Sequence, residues 1–451
     1  MSDFKSHNEK RIKRVITRRD FLKMGTGAAA FGVASTLGAK AALADNKIYV
    51  PYFSRQQTMN LKMLTWFWQE PGRADAWRAM IKKFHEAQKD ITIEEGGWPF
   101  DQYTNQVLLQ VKSGQIDGDL FTTTPDLVLR LMRADQLEPL QDIVDKLGLT
   151  DTLSKAHDFI RKDGKVMGLD IVTVKFGLLY NAKMFEDAKV SAPTSIDEWI
   201  EVSKKLTKRP DQFGLFSPHI SSEPESTWFT LQQWAVLFDG VWAKDKMPTV
   251  NTEPVINGLK LFKTMFDEAM PQGTNDATAN KMYGSSRIAQ ELIVSAAVNV
   301  WKTDGPDVYP NLRSAIPPWP SKKVITRIHP LCVNINAADE RKAASKAFVE
   351  WLYQTDNYRE LLERSLDVVP AFPDGIRKEY LDSLTWSEGY QAGVPITPPD
   401  VMGEFIFYNQ EFGQTLMDNF LPALTSGVPI EDAMANAQTE LEALGQRVFA
   451  S

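Results

Sequence analysis

The sequence predicts an α/β protein with a mainly parallel sheet, because short strands alternate with amphipathic helices from residue 61 onward. Apolar residues follow a two-residue strand period in some segments and a helical period in the segments between them. The strand segments are 61–66, 91–93 and 119–123, and the helical segments are 73–88, 103–113 and 127–134. A chain of 451 residues with 43% hydrophobic content is long enough for two or three domains around a large core.

Composition excludes several classes of protein and site. No segment approaches the roughly 20 uninterrupted apolar residues of a membrane-spanning helix. The single cysteine, Cys332, excludes an intrachain disulfide and a cysteine-based zinc or iron–sulfur site. The five histidines show no metal-ligand spacing, and no catalytic or phosphate-binding motif is recognisable. We therefore expect no metal, no cofactor and no catalytic residues.

The charge divides unevenly along the chain. Residues 1–44 contain nine Lys/Arg and three Asp/Glu, so the other residues carry 42 basic against 55 acidic side chains. A surface that acidic repels nucleic acid and anionic membranes. We expect no nucleic-acid partner.

The basic N-terminal segment has the order of an export signal. Consecutive arginines, Arg18 and Arg19, are followed by Phe21, Leu22 and a mildly apolar stretch, and residues 42–44 read Ala-Leu-Ala. This segment resembles a twin-arginine signal peptide cleaved after Ala44. The resemblance implies export to the periplasm.

Several short motifs then occur in a characteristic order. They are Asp-Gly-Lys-Val-Met-Gly-Leu at 163–169, Gly-Leu-Leu-Tyr-Asn-Ala-Lys-Met-Phe at 177–185, Pro-Thr-Ser-Ile-Asp-Glu-Trp at 193–199, Glu-Pro at 223–224 and Thr-Trp at 227–228. Together they resemble the extracellular solute-binding proteins of ABC sugar importers, the family that contains maltose-binding protein. In that family Ala296, Ala297 and Val298 would fall on a penultimate strand.

The resemblance implies two α/β lobes, each a mainly parallel sheet flanked by helices, joined by crossings that act as a hinge. The N-terminal lobe would comprise residues 45–170 and 333–375, and the C-terminal lobe residues 171–332 and 376–451. The crossings would fall near residues 169–173, 331–333 and 372–378.

Asp170 departs from the family pattern, which usually has proline after Gly-Leu in the first crossing strand. Two readings remain open. Either the backbone is less constrained there, or a carboxylate has been placed at the cleft for a ligand hydroxyl.

Candidate ligand contacts come from strand ends and from the resemblance. In parallel sheets ligands bind beyond the carboxyl ends of strands, and aromatic rings suit the flat apolar faces of sugars while polar groups suit their hydroxyls. Strand ends supply Trp66, Trp68, Gln69, Thr124 and Asp126, of which one tryptophan could be core. Trp228 is the leading aromatic candidate, because the matching family segment contacts sugar. The other candidates are Asp170, Lys175, Glu223, Trp301, Asp304 and Phe405.

Three functions follow as hypotheses. The first is a non-enzymatic periplasmic binding protein, acting as a monomer, that delivers a sugar or polyol to an ABC permease. The second is a secreted carbohydrate hydrolase, which would need two carboxylates at a defined separation. The third keeps the fold but changes the ligand to a polyamine or another small solute, held by carboxylates and cation–π contacts.

Overall fold

The computed structural model describes residues 58–70 and 72–450. The expected signal segment and its cleavage after Ala44 lie outside this range. The strands are β1 Met59–Leu64, β2 Ile91–Gly96, β3 Leu120–Thr122, β4 Leu137–Glu138, β5 Arg161–Lys162, β6 Lys165–Val166, β7 Leu169–Asn181, β8 Ala243–Lys244, β9 Met247–Pro248, β10 Gln290–Val294, β11 Leu312–Ala315, β12 Lys323–Asn334 and β13 Val394–Ile396.

The described residues form seventeen α-helices and six short 3₁₀ turns. The α-helices are α1 Arg73–Ala87, α2 Phe100–Lys112, α3 Pro125–Arg133, α4 Gln141–Lys146, α5 Ala182–Ala188, α6 Ile196–Leu206, α7 Pro224–Val236, α8 Glu253–Glu268, α9 Asp276–Gly284, α10 Val298–Asp304, α11 Asp339–Leu352, α12 Thr355–Arg364, α13 Lys378–Ser383, α14 Glu388–Ala392, α15 Pro398–Met402, α16 Asn409–Ser426 and α17 Ile430–Phe449. The 3₁₀ turns are Trp66–Gln69, Lys155–Ile160, Ser295–Ala297, Tyr309–Asn311, Pro373–Gly375 and Gly403–Tyr408.

One mixed sheet runs through the structure in the order β10-β7-β12-β3-β1-β2, with β11 beside β7 and with β4 and β13 beside β12. The alternating strands and helices near the start form the expected parallel pairs, β1 with β2 and β1 with β3. The long strands β7 and β12 instead pair antiparallel, and so do β10 and β11 with β7. The α/β class is confirmed. Among the strands that the structure describes, the parallel pairs are β1 with β2, β1 with β3 and β12 with β13.

Two large apolar cores lie at opposite ends of β7 and β12. Leu169 and Val174 of β7 belong to the first core, whereas Phe176 and Leu178 belong to the second. On β12 the change of core occurs between Ile325 and Ile328. Both strands therefore connect the two cores. On each strand the change from one core to the other falls a few residues from the crossing expected near residues 169–173 or 331–333, because each strand is long enough to enter both cores. The lobe boundaries given above remain a prediction.

Two local expectations are corrected. Trp66–Gln69 is a 3₁₀ turn and not a strand end, because the Thr65 side chain accepts the Phe67 amide hydrogen bond at 3.1 Å and starts the turn. Residues 296–298 are helical as well, and the strand of that region is β10, which ends at Val294. Cys332 is fully buried beside Thr123, as expected for a small apolar residue, and burial raises the pKa of its thiol to about 12.

Candidate ligand-binding cleft

A cleft of about 690 Å³ lies between elements of the two cores. Its volume is within the range of about 300–1,000 Å³ that small-molecule sites occupy. The first core supplies Trp66 and Phe100, Phe229 packs against the second core, and Phe216 belongs to a smaller apolar cluster. Walls from both halves of the chain therefore face the same space.

The aromatic rings form a continuous series across this cleft. The Trp66 and Phe100 ring centroids are 5.6 Å apart, and the Phe100 and Phe229 centroids are 6.0 Å apart in an edge-to-face arrangement. The guanidinium carbon of Arg327 lies 4.4 Å from the centroid of Phe229. Phe100 and Phe229 pack against different cores, so this ring pair joins the two walls.

A smaller cavity of about 30 Å³ adjoins the cleft and shares Phe100, Glu225, Phe229 and His329 with it. Such a volume holds about one water molecule. Its remaining lining consists mainly of polar side chains and one tryptophan: Thr104, Thr124, Pro125, Asp126, Trp228, Gln232, Arg327 and Asn409.

Hydrogen bonds hold the polar lining of the smaller cavity in place. Thr124 caps α3 by accepting from the Leu127 amide and donates to Asp126 Oδ1 at 2.7 Å. Arg327 donates to Gln232 Oε1 at 2.7 Å, and burial lowers the Arg327 pKa to about 10, well above neutrality. Its positive charge therefore persists beside the carboxylate of Asp126.

A largely buried ion group contributes Glu70 and Arg73 to the cleft lining. Arg73 donates to Glu70 Oε2 at 2.7 Å and to Asp367 Oδ1 at 3.0 Å. Arg73 and Asp367 are 4% and 3% exposed, whereas Glu70 is 35% exposed. Burial raises the pKa of Asp367, and the guanidinium of Arg73 opposes that rise. The charge of Arg73 is thus shared between two carboxylates of its own protein.

Five sequence candidates line these cavities. Trp66 and Glu223 line the large cleft, and Thr124, Asp126 and Trp228 line the small cavity. Trp228 is only 3% exposed: its Nε1 donates to Asn409 Oδ1 at 2.8 Å, and its ring packs edge-on against Trp242 at 5.2 Å. Trp228 is therefore a core residue that touches a one-water cavity, and the neighbouring Phe229 faces the large cleft.

Asp170 has a structural role that neither open reading anticipated. The pairing of β7 with β12 shifts register between Ile328 and Pro330, and Asp170 Oδ1 accepts the His329 amide at 2.8 Å. The other carboxylate oxygen accepts from the Thr173 hydroxyl. Asp170 is fully buried, and that burial raises its pKa to about 7. The carboxylate supplies the acceptor that the irregular strand pairing lacks.

The remaining candidates are not among the described residues that line the two cavities. Lys175 donates to the Gly393 carbonyl at 3.0 Å, and burial lowers its pKa to about 8. Trp68 donates to the Met63 carbonyl at 3.2 Å and packs edge-on against Trp77. Gln69 is exposed at the end of its 3₁₀ turn.

Two further aromatic candidates are packed in the apolar interior. Trp301 is fully buried and stacks on Tyr283 with centroids 4.2 Å apart. Phe405 is fully buried against Phe412 and Phe449. Asp304 is exposed at the last residue of α10.

Sequence reasoning missed most of the cleft. The missed residues include Glu70, Arg73, Phe100, Phe216, Glu225, Phe229, Asp276, Glu291 and His329. Phe229 follows Trp228 directly in α7. The rotation of the helix about its axis decides which of the two rings faces the cleft. Asp276 and Glu291 had no sequence signal, because tertiary packing alone brings α9 and β10 to the cleft.

The family model described as "Bacterial extracellular solute-binding protein" matches residues 79–380, more than half of the chain. The chain belongs to this family. No curated protein matches the solute-binding protein in sequence.

Solved structures share the fold of this solute-binding protein. An ABC transporter solute-binding protein from Thermotoga lettingae, bound with α-D-tagatose, is 16% identical with a TM-score of 0.72, and the match covers 86% of this chain and 100% of that chain. The cyclic α-maltosyl-1,6-maltose binding protein of Arthrobacter globiformis is 17% identical with a TM-score of 0.68, covering 87% and 100%. A solute-binding protein from Agrobacterium radiobacter in complex with ribitol is 16% identical with a TM-score of 0.68, covering 86% and 98%. The fold is therefore the two-lobed fold of periplasmic sugar-binding proteins.

Among the described helices, none has the combined length and apolarity needed to cross a bilayer. Within the same residues, no group of three or more His, Cys, Asp or Glu side chains is arranged to hold a metal ion.

Proposed function

We propose that this protein is the substrate-binding component of an ABC importer, capturing a sugar or polyol and delivering it to a membrane permease. The cleft between the two cores carries the proposal, since its rings and carboxylates suit the apolar faces and hydroxyl rims of such ligands. Structures with the same fold bind tagatose, a cyclic maltosyl-maltose and ribitol, according to their descriptions.

The mechanism we propose is closure of two lobes without bond chemistry. The lobes would comprise residues 45–170 with 333–375 and residues 171–332 with 376–451, acting within a monomer. A ligand shifts such an equilibrium only by binding the closed form more tightly. A hundredfold preference supplies about 2.7 kcal/mol, which is enough to close a protein that is mostly open when empty.

Ligand binding should raise the melting temperature and reduce the radius of gyration, because ligand binds only the folded state and draws the walls together. A thermal-shift screen of sugars and polyols on residues 45–451 identifies the ligand, and solution scattering then compares the empty and loaded protein. The recovered ligand should be chemically intact. A hydrolysed sugar would support the hydrolase instead, and an unchanged radius would count against closure.

Phe229 provides a variant test of the cleft. Phe229→Ala should weaken binding of the ligand from this screen by about 2 kcal/mol, roughly thirtyfold, because a ring in a desolvated site is lost. Phe407→Ala is the matched control, since Phe407 is also partly buried but lies outside both cavities. Equal affinities in the two variants would remove Phe229 from the site.

We propose that the protein reaches the periplasm by the twin-arginine route, with cleavage after Ala44. Arg18 and Arg19 support this route, and the extracellular family is consistent with export. Replacing both arginines by lysine should leave the precursor in the cytoplasm, as fractionation and immunoblotting would show. Normal export of that variant would rule the route out.

A further inference from the structure

Three carboxyl groups from three separate elements line the large cleft. Glu223 immediately precedes α7, Asp276 begins α9, and Glu291 lies on β10. The Asp276 backbone amide donates to Glu223 Oε2 at 3.0 Å, which fixes these two elements relative to each other. The chain thus places like charges side by side at the ligand space.

This group lacks a cation of its own. Among the described residues, none of the three carboxylates forms an ion pair. Glu291 is only 4% exposed and lines the cleft, yet within the described chain its side chain accepts no hydrogen bond. Asp276 Oδ1 is likewise buried without a partner, although Oδ2 accepts from the Ser226 hydroxyl. Buried carboxylates are normally paired or coordinate a cation, so these oxygens are available to a ligand.

The nearby basic side chains do not pair with these three carboxylates. Arg73 is the one arginine or lysine in the described lining of the large cleft, and Glu70 and Asp367 already share its charge. His329 is buried, which lowers its pKa to about 3 and keeps it neutral. The described lining of the cleft therefore contains more carboxyl groups than cationic groups, and Asp101 and Glu225 are among them.

From this arrangement we infer that the ligand carries an ammonium group, which binds against Glu223, Asp276 and Glu291. The inference rests on the proposed function and narrows its substrate class to amino sugars and amino polyols. A neutral hydroxyl can donate a hydrogen bond to these oxygens but cannot compensate their charge. A bare metal ion is disfavoured, since no metal-ligand group of three occurs in the described chain, and the adjacent rings suit an organic body.

Proton linkage supports the same assignment. Burial raises the pKa of Asp276 and of Glu291, and Glu223 adds to the rise at Asp276, while Asp276 adds to it at Glu291. Tyr283 and Tyr390 face Glu291 from α9 and α14 and stay protonated, because burial raises the pKa of each well above its ordinary value. An ammonium group stabilises the ionised carboxylates and lowers their pKa, so its binding should release protons and tighten as pH rises.

Calorimetric titration of residues 45–451 at pH 7 tests the inference with matched probes. These are sorbitol against 1-amino-1-deoxysorbitol and glucose against glucosamine, with spermidine and calcium chloride as separate arms. The amine member of at least one pair should bind about tenfold more tightly or better than its neutral partner, as one desolvated charge-assisted contact predicts. Titration in buffers of different ionisation enthalpy should show proton release.

Variants separate the charge from the rest of the cleft. Glu291→Gln should reduce the preference for the amine over its neutral partner about tenfold. Glu201→Gln on the exposed face of α6 removes the same charge away from the cleft and should alter neither affinity. Thermal unfolding confirms that both variants are folded. Asp276→Asn provides a second variant with the same expected loss of preference.

The outcomes distinguish this inference from the proposed function. Neutral probes that bind as tightly as their amine partners would overturn the inference and leave sugar or polyol binding intact. Binding of spermidine without any sugar or polyol would support the ammonium site and overturn the proposed ligand class. Binding of calcium alone, or of no amine probe, would overturn the inference.

Discussion

Trp228→Ala should lower the free energy of unfolding by ~3–5 kcal/mol, as truncation of a large buried aromatic typically does. The ring contacts Trp242 and Phe412, and its Nε1 donates to Asn409. Gly413 packs directly against the ring, where even a Cβ would lie 2.5 Å from it. Truncation therefore leaves a cavity between α7 and α16 and removes one of the two donors to Asn409 Oδ1, the other being Gln232 Nε2 at 3.2 Å.

Urea unfolding of this variant is best compared with Phe229→Ala. Phe229 is next in sequence but only partly buried at the cleft, so its truncation should cost much less stability and much more ligand affinity. The opposite pattern, a stable Trp228→Ala protein that binds poorly, would return Trp228 to the ligand site and contradict the packing described above.

Arg73→Met should lower the free energy of unfolding by a comparable ~3–5 kcal/mol at pH 8, because it leaves the buried carboxylate of Asp367 without its cation. Ser365 still donates a hydrogen bond to Asp367 at 2.6 Å, and Glu70 is exposed enough to be hydrated. The loss is therefore assigned mainly to Asp367.

The pH dependence of this loss has a definite sign. Burial already raises the pKa of Asp367, and removal of the guanidinium should raise it further. A folded carboxyl with a raised pKa binds its proton more tightly than the unfolded chain does, so it favours folding at low pH and loses that contribution as pH rises toward the folded pKa. The destabilisation by Arg73→Met should consequently be smaller at pH 5 than at pH 8.

A double variant checks the assignment to Asp367. Arg73→Met with Asp367→Asn removes both charges and should recover most of the stability at pH 8, since breaking a buried pair costs more than deleting it. Urea unfolding of the single and double variants at both pH values measures this. A single variant whose loss does not change with pH, or a double variant that recovers nothing, would place the cost elsewhere.

Local sequence patterns predicted helices correctly where neighbouring residues decide the structure. The helices predicted at 73–88 and 127–134 appear as α1 and α3. Apolar periodicity reports which face of an element is buried, so these segments could be read one at a time. The long antiparallel pairing of β7 with β12 has no local signal, because its partners are more than 150 residues apart.

The α/β class, the family and the acidic, aromatic chemistry available to a ligand could be predicted without the fold, because composition and ordered motifs are properties of the chain. Which residues face the cleft depends on how the chain packs. Adjacent residues of one helix, Trp228 and Phe229, separate into core and cleft because helix rotation is set by packing against α16 and β12. Glu291 acquires its place beside Asp276 only because β10 pairs with β7 at that register. Burial and register are relations between distant segments, and the folded chain alone fixes them.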